Sequence, residues 1–275
     1  MSFSPDWLAL REAADHAARA PAVAAQVFTH FAAHEHVTIV DFGCGTGSNL
    51  RTMAEHLPAR QTWRLVDWDE TLLAAARTRL IAWADRTQEA QGALMLHKGR
   101  CAIRLELRQA DLAKNFESVI DGADLLTATA FFDLVSGGWM DELCAALARR
   151  RLPLYAILTY DGREDWRPAH VADAAVLAAF HAHQKSDKGF GVAAGPDAAA
   201  HLAQALAHHG FALTQGHSPW RLSSGELMRQ LAQGAASAVA ETGLVSASDV
   251  AAWRNARVQA TSCSIGHVDL FALPR

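Results

Sequence analysis

The feature that most constrains this chain is a glycine-rich turn set between a strand pattern and a helix pattern. Val37-Thr38-Ile39-Val40-Asp41-Phe42 is an apolar, β-branched run that reads as a buried strand. It ends in Gly43-Cys44-Gly45-Thr46-Gly47. Beyond the turn Leu50, Met53, Ala54 and Leu57 recur on one face of a helix. Trp63-Arg64-Leu65-Val66-Asp67 then reads as a second strand. Glycines let the backbone turn tightly and let a ligand approach without an intervening Cβ. The free amides at the start of the helix point at whatever lies over the loop. Asp67 falls about 20 residues after Gly47, the spacing at which a carboxylate accepts hydrogen bonds from two ribose hydroxyls. The plainer role for Asp67 is to cap the next helix, for which Asp69 is better placed.

The alternation continues along the chain. Leu73, Ala76, Leu80 and Trp83 mark a helix, and 88–100 reads as a loop. Segments 102–110, 124–130 and 152–160 read as the third to fifth strands, with a helix over 140–149. Strands alternating with helices indicate an α/β fold with a doubly wound, mostly parallel sheet. Segments 211–218 and 264–272 complete a seven-stranded sheet. Ser4 before Pro5 starts an N-terminal helix, and Pro21 divides that region in two. Further helices are expected over 171–184, 195–209, 224–241 and 246–260. One domain, 1–275, accounts for this order. It divides into a helical cap over 1–35, a cofactor-binding core over 36–160 and a sheet completion with helical lid insertions over 161–275. Ligands of such sheets bind at the carboxyl ends of the strands, where strand order reverses.

The identity of the nucleoside follows from two departures. A dinucleotide loop wants glycine at the sixth position of G-x-G-x-x-G, and here that position is Ser48. Asp41, two residues before the first glycine, repels a pyrophosphate and suits a cationic or amine-bearing ligand. With these residues in place, Val40-Asp41-Phe42-Gly43-Cys44-Gly45-Thr46-Gly47 resembles the first motif of class I S-adenosylmethionine-dependent methyltransferases. Val66-Asp67 resembles the ribose-binding acidic position, and Ala110-Asp111-Leu112 the position that meets the adenine. Segment 127–132 resembles the stretch after the fourth strand. The likeness runs in register over about 37–160 and is looser in the tail.

The resemblance implies S-adenosylmethionine as cofactor, with S-adenosylhomocysteine as product. Asp41 and the backbone of Gly43, Cys44, Gly45 and Gly47 would hold the methionine part. Asp67 would hold the ribose, with Trp68 over the adenine face. Asp111 would meet the adenine amino group, with Leu112 on the ring and Thr129 and Ala130 under the methionine moiety. Methyl transfer from a sulfonium needs an aligned acceptor, and a base only where the acceptor must lose a proton. Asp133, just beyond the fourth strand, is a candidate for that role, or else a helix-start acid. Phe131, Phe132 and Tyr160 are pocket candidates, with core packing as the plainer role. His183 and Gln184, within Ala179-Phe180-His181-Ala182-His183-Gln184, are candidate lid residues that act on the substrate, or else a surface helix end.

Composition narrows the acceptor. Lys and Arg number 25 against 29 Asp and Glu, a net charge of −4, which disfavours nucleic acid and anionic membrane as partners. Thr129-Ala130-Phe131-Phe132 lacks the N-P-P-Y type signature that the resemblance would link to nucleobase or glutamine methylation. A small molecule methylated at oxygen or nitrogen is the expected acceptor, for a protein that is a monomer or a homodimer. The four cysteines are far apart and the fourteen histidines show no ligand spacing, so no metal site is expected. No basic start precedes an apolar run at the N-terminus and no apolar stretch reaches the roughly 18 residues of a membrane span, so a cytoplasmic location is expected. Rival readings are a non-methylating enzyme on the same fold, such as an aminopropyl transferase, a nicotinamide-dependent oxidoreductase, and a cofactor-binding regulatory module.

Overall fold

Ser4 and Pro5 start the first helix as their chemistry requires. The Ser4 hydroxyl accepts the Trp7 N–H at 3.1 Å, and Pro5 takes the first helical position of α1 (Pro5–Ala18). Pro21 opens a second helix, α2 (Pro21–Phe31), instead of bending one long helix. The structure, a computed structural model, describes residues 3–90 and 93–275. Met1 and Ser2 of the N-terminal reading, and Gln91 and Gly92 of the expected loop, lie outside the described residues.

β1 (His36–Phe42) runs into the glycine loop, and α3 (Ser48–Met53) leaves it. The step repeats through β2 (Arg60–Asp67) and α4 (Glu70–Trp83), which Asp69 caps by accepting the Thr71 N–H at 2.7 Å. Next come β3 (Arg86–Ala90), β4 (Ala93–Lys98), β5 (Cys101–Gln109) and the short α5 (Glu117–Ile120). β6 (Leu125–Thr129), α6 (Gly137–Arg150) and β7 (Leu154–Arg167) follow. The second half holds α7 (Asp173–Gln184), α8 (Ala198–His208), β8 (Phe211–His217) and β9 (Trp220–Leu222). It closes with α9 (Glu226–Thr242), α10 (Ala247–Val258) and β10 (Ser262–Pro274).

The strand order is β3-β4-β5-β2-β1-β6-β7-β10-β8, with β9 paired to the start of β10. The five central strands, β5 to β7, are parallel, and the others pair antiparallel. The expectation of a seven-stranded sheet is therefore corrected: among the described residues the sheet has ten strands and is mixed. Two of the three extra strands lie where 88–100 reads as a loop. Arg86, Thr87, Gln88 and Glu89 have no apolar face to betray a strand, because β3 is an exposed edge. β4 is the covered member, with Leu94 and Leu96 buried.

Alternate side chains of β1 feed two cores. Val40 and Phe42 join Met140, Leu143 and Leu147 of α6 on one face. Ile39 joins Phe31 of α2, Leu50 of α3 and Leu80 of α4 on the other. Each such side chain is fully or almost fully buried and contributes roughly 1.5–3 kcal/mol. β1 neighbours β2 on one side and β6 on the other, so strand order reverses at its carboxyl end.

A buried carboxylate ties the helical cap to the sheet. Asp269 of β10 is fully buried. It accepts the Ala20 N–H, between α1 and α2, and the Leu158 N–H of β7, both at 2.8 Å. Leu158 has a left-handed φ of 53°, opposite a register shift between Val268 and Leu270. The bulge turns its amide toward Asp269. Asp269→Ala strands two buried donors and is expected to cost about 2–5 kcal/mol of unfolding free energy in urea titrations. Asp269→Asn, which keeps one acceptor oxygen, should cost about half as much. A fully stable Asp269→Ala protein would remove this account of the cap.

Candidate functional site

The glycine loop turns through left-handed backbone that other residues rarely adopt. Gly43 and Gly45 have φ of +59° and +53°. A Cβ on Gly43 would lie 2.8 Å from the Phe131 ring, and one on Gly45 would lie 2.9 Å from the Leu8 side chain. The loop is pinned to β2: the Cys44 N–H donates to Val66 O at 3.1 Å and the Gly45 N–H to Asp67 Oδ2 at 2.9 Å. Asp67 Oδ1 accepts the Asp69 N–H at 3.0 Å. Asp67 thus shapes the loop as well as ending the strand, and burial raises its pKa.

Asp41, near the end of β1, is 1% exposed. Its Oδ1 accepts from Asn49 Nδ2 at 2.9 Å and from Thr127 Oγ1 at 2.7 Å. Its Oδ2 is buried and has no hydrogen-bond partner among the described residues. Burial pushes the Asp41 carboxyl up to about 6, against the hydrogen bonds from Thr127 and Asn49. Arg19, at the end of α1, donates from Nη2 to Asn49 Oδ1 at 2.9 Å, and its own Nε is buried without a partner. A shielded acceptor and a shielded donor therefore sit at one end of the site with capacity to spare. An α-ammonium beside an α-carboxylate has the complementary charges.

These groups open on a cleft of about 400 Å³ at the carboxyl ends of β1, β2, β5 and β6. The cleft brings together Asp41, Gly43, Cys44 and Gly45 with Asp67 and Trp68. Asp111 and Leu112 after β5, and Thr129, Ala130 and Phe131 around the end of β6, complete that set. Trp68 is 64% exposed at the lip. Asp111 pairs with Lys114 at 2.8 Å, which lowers its pKa. The Thr129 hydroxyl is buried and unpartnered. Cys44 is a buried thiol whose pKa is pushed up by desolvation, which leaves it unreactive.

Other expected site residues lie elsewhere. Gly47 turns its Cα toward Leu80 of α4 and Leu65 of β2, so it serves helix packing. Phe132 is fully buried in the core, not in the cleft. Tyr160 is not at a strand tip, because β7 runs on to Arg167 by pairing with β10. Its buried hydroxyl meets Glu164 Oε1 at 3.1 Å and His181 Nε2 at 3.0 Å. His183 faces α9, with Nε2 3.0 Å from Glu241 Oε2, and does not line the cleft. Gln184 packs against Gly195, and its Oε1 is buried without a partner. Asp133 stands on the turn between Phe131 and Leu134, which both line the cleft. Its Oδ1 is shielded and unpartnered, and burial pushes its carboxyl up to about 6 with Arg11 opposing. Among the described residues no group of three His, Cys, Asp or Glu is placed to hold a metal, and no helix is long and apolar enough to cross a membrane.

The residues missed in the sequence come mainly from α1 and the loop after α7. Leu8, Arg11, Asp15 and Arg19 line the cleft from above, and Lys188 and Phe190 close one side. The signal was present: Arg11, Asp15 and Arg19 are four residues apart and therefore share one helical face. Asp15 Oδ2 accepts from Arg11 Nε at 2.9 Å, and Asp15 Oδ1 accepts from Arg11 Nη2 at 3.1 Å and Trp220 Nε1 at 3.0 Å. The Arg11 guanidinium stacks 4.9 Å from the Trp220 ring. Phe190 packs edge-on against Phe131 and Trp139 at 5.8 and 5.3 Å.

No family model and no curated protein matches the chain. Solved structures do. A cyclopropane-fatty-acyl-phospholipid synthase-like protein from Lactobacillus casei is 12% identical, with 96% of this chain and 99% of that chain covered and a TM-score of 0.53. The YcgJ protein from Bacillus subtilis is 11% identical, with 93% and 99% covered and a TM-score of 0.51. A putative methyltransferase from Bacillus halodurans is 12% identical, with 92% and 100% covered and a TM-score of 0.49. The first two likenesses establish the fold. It is a Rossmann-like α/β fold with a mixed sheet.

The raised Asp133 carboxyl has a signed consequence for stability. An unfolded chain releases this proton near 3.8, whereas the folded protein holds it to about 6. Folding is therefore favoured by Asp133 at low pH, and that contribution is lost as pH rises through about 6. Asp133→Asn is expected to stabilise the protein by about 2–3 kcal/mol at pH 8 and to change little at pH 4, read from urea midpoints at the two pH values.

Proposed function

We propose that this chain is a class I S-adenosylmethionine-dependent methyltransferase acting on an oxygen or nitrogen of a small-molecule acceptor. The observation that carries the reading is the spacing of three carboxylates along one cleft. Asp41 lies near the end of β1, Asp67 ends β2 and Asp111 follows β5, all in one cavity. Asp41 Oδ2, buried and unpartnered, suits an ammonium. Asp67 accepts from the loop while lining the cleft, which suits ribose hydroxyls. Ser48 in place of the third dinucleotide glycine, and the buried Asp41, count against a nicotinamide cofactor.

Bound there, the cofactor supplies an electrophilic methyl group on sulfur. The chain's own residues do the rest. Asp41 fixes the methionine end beside the Cβ-free turn at Gly43 and Gly45, and the roof of α1 with Phe131 and Phe190 excludes water. Alignment of an acceptor at near-contact distance supplies most of the rate. Where the acceptor must lose a proton, Asp133 is the candidate base: it does not line the cleft itself but stands on the turn between Phe131 and Leu134, which do, and its carboxyl ionises around pH 6. The net charge of −4 supports a small molecule over a nucleic acid.

Calorimetry with S-adenosylmethionine, S-adenosylhomocysteine and NAD tests the cofactor. The first two are expected to bind and NAD is not. Asp67→Ala is expected to weaken both by about tenfold or more, while His183→Ala leaves them within about twofold. Loss of binding in His183→Ala would contradict the placement of that helix outside the site. Incubation of a metabolite extract with methyl-labelled cofactor identifies the acceptor. Transfer should rise with pH through about 6 and fall at least about tenfold in Asp133→Asn, with S-adenosylhomocysteine binding retained. Cofactor binding without any labelled product would favour the regulatory-module reading.

A further inference from the structure

We infer that the acceptor is a small apolar molecule carrying a carboxylate, and that Arg11 is the residue that selects it. The inference rests on the methyl-transfer reading and follows from assigning the charges of Asp41, Asp67, Asp111 and Arg19 in the cleft. Asp67 and Asp111 stand at the strand ends that suit a nucleoside, and Asp41 offers its free oxygen to an ammonium. Arg19, bonded to the same Asn49 that holds Asp41, is the cation placed for the carboxylate beside that ammonium. Arg11 lies two helical turns earlier on the same face of α1 and has no part in the Asp41 network.

Arg11 is built to present, not merely to fill space. A guanidinium has five N–H donors. Two go to Asp15, and among the described residues the others have no protein acceptor. Asp15 is itself 9% exposed and holds three donors, so it orients the guanidinium from behind. The Trp220 ring fixes its plane. The Arg11 side chain is only 11% exposed yet lines the cleft. A planar donor fork held this way loses little freedom on binding, and its geometry matches a carboxylate.

The remaining wall decides what carries that anion. Leu8, Phe131, Leu134 and Phe190 present apolar surface to the same cavity. An apolar body covers these rings, while an amine-bearing acceptor would face both Arg11 and Lys188. Lys188 adds a second positive charge at the side closed by the loop after α7.

Ligand-detected NMR on the S-adenosylhomocysteine complex tests this with benzoate, phenylacetate and octanoate, each against its primary amide. At least one carboxylate should bind about tenfold or more tighter than its amide. Arg11→Lys keeps the charge and the Asp15 partner but not the fork, and should cut that preference by about threefold or more while S-adenosylhomocysteine affinity stays within about twofold. Equal binding of acid and amide, binding of neither at millimolar concentration, or a preference undiminished in Arg11→Lys would each overturn the proposal. So would a folded Arg11→Lys protein that loses S-adenosylhomocysteine, since Arg11 would then belong to the cofactor. Failure of the wild-type protein to bind S-adenosylhomocysteine is a different result, and defeats the methyl-transfer reading itself.

Discussion

A buried carboxylate at the point where strand order reverses organises this molecule. Asp41 receives Thr127 from β6 and Asn49 from α3, and Asn49 in turn receives Arg19 from α1. Four parts of the chain are thereby joined through two side chains, Asp41 and Asn49. Desolvating a carboxylate is costly, and two hydrogen bonds to a single oxygen offset only part of that cost. The other oxygen stays unanswered within the protein. Such an arrangement persists where a ligand completes it, and the same network that holds the sheet's centre together therefore defines the polar end of the cleft.

Two attachments of the helical cap have different jobs. Asp269 fixes the junction of α1 and α2 to the bulge in β7 by hydrogen bonds alone, deep in the core. The Arg11–Asp15–Trp220 set joins the inward face of α1 to β9 with charged groups that also face the cleft. A segment that looks like an appended cap in the chain order is in effect the fourth wall of the site. This explains why the N-terminal helices pack on strands from the far end of the sequence, with Ala20 and Val23 against Gly216 of β8.

The parallel core was legible because its signals are local. The β-branched run, the glycine turn and Asp67 lie within about 30 residues and each has one physical reading. The ends of β1, β2, β5 and β6 consequently fell close to where the patterns put them. The β3–β4 pair was illegible because an edge strand can be polar on both faces, and Arg86 to Glu89 carry no period to detect. Tyr160 was misplaced because pairing with β10, more than 100 residues later, extends β7 beyond its apolar stretch. His183 drew notice for its polar setting, yet its direction depends on where α9 packs, and that is a tertiary fact. Arg11 and Asp15 were passed over although their spacing was visible. A charged pair on a helix usually faces water, and only the fold turns this face inward.

Most of the large aromatic side chains are enclosed, and Trp63, Trp139, Trp166, Trp220 and Trp253 are all buried. Trp7 and Trp83 are half-buried, and Trp68 stands out at the lip of the cleft beside Asp67. Stacking of a purine on an aromatic ring is worth about 1–3 kcal/mol, so part of the affinity for a nucleoside would come from covering this one indole. The same ring gives the protein an optical readout. An indole in water emits at longer wavelength than one beneath a base. A base stacked on Trp68 would therefore register in the intrinsic fluorescence, with no label attached.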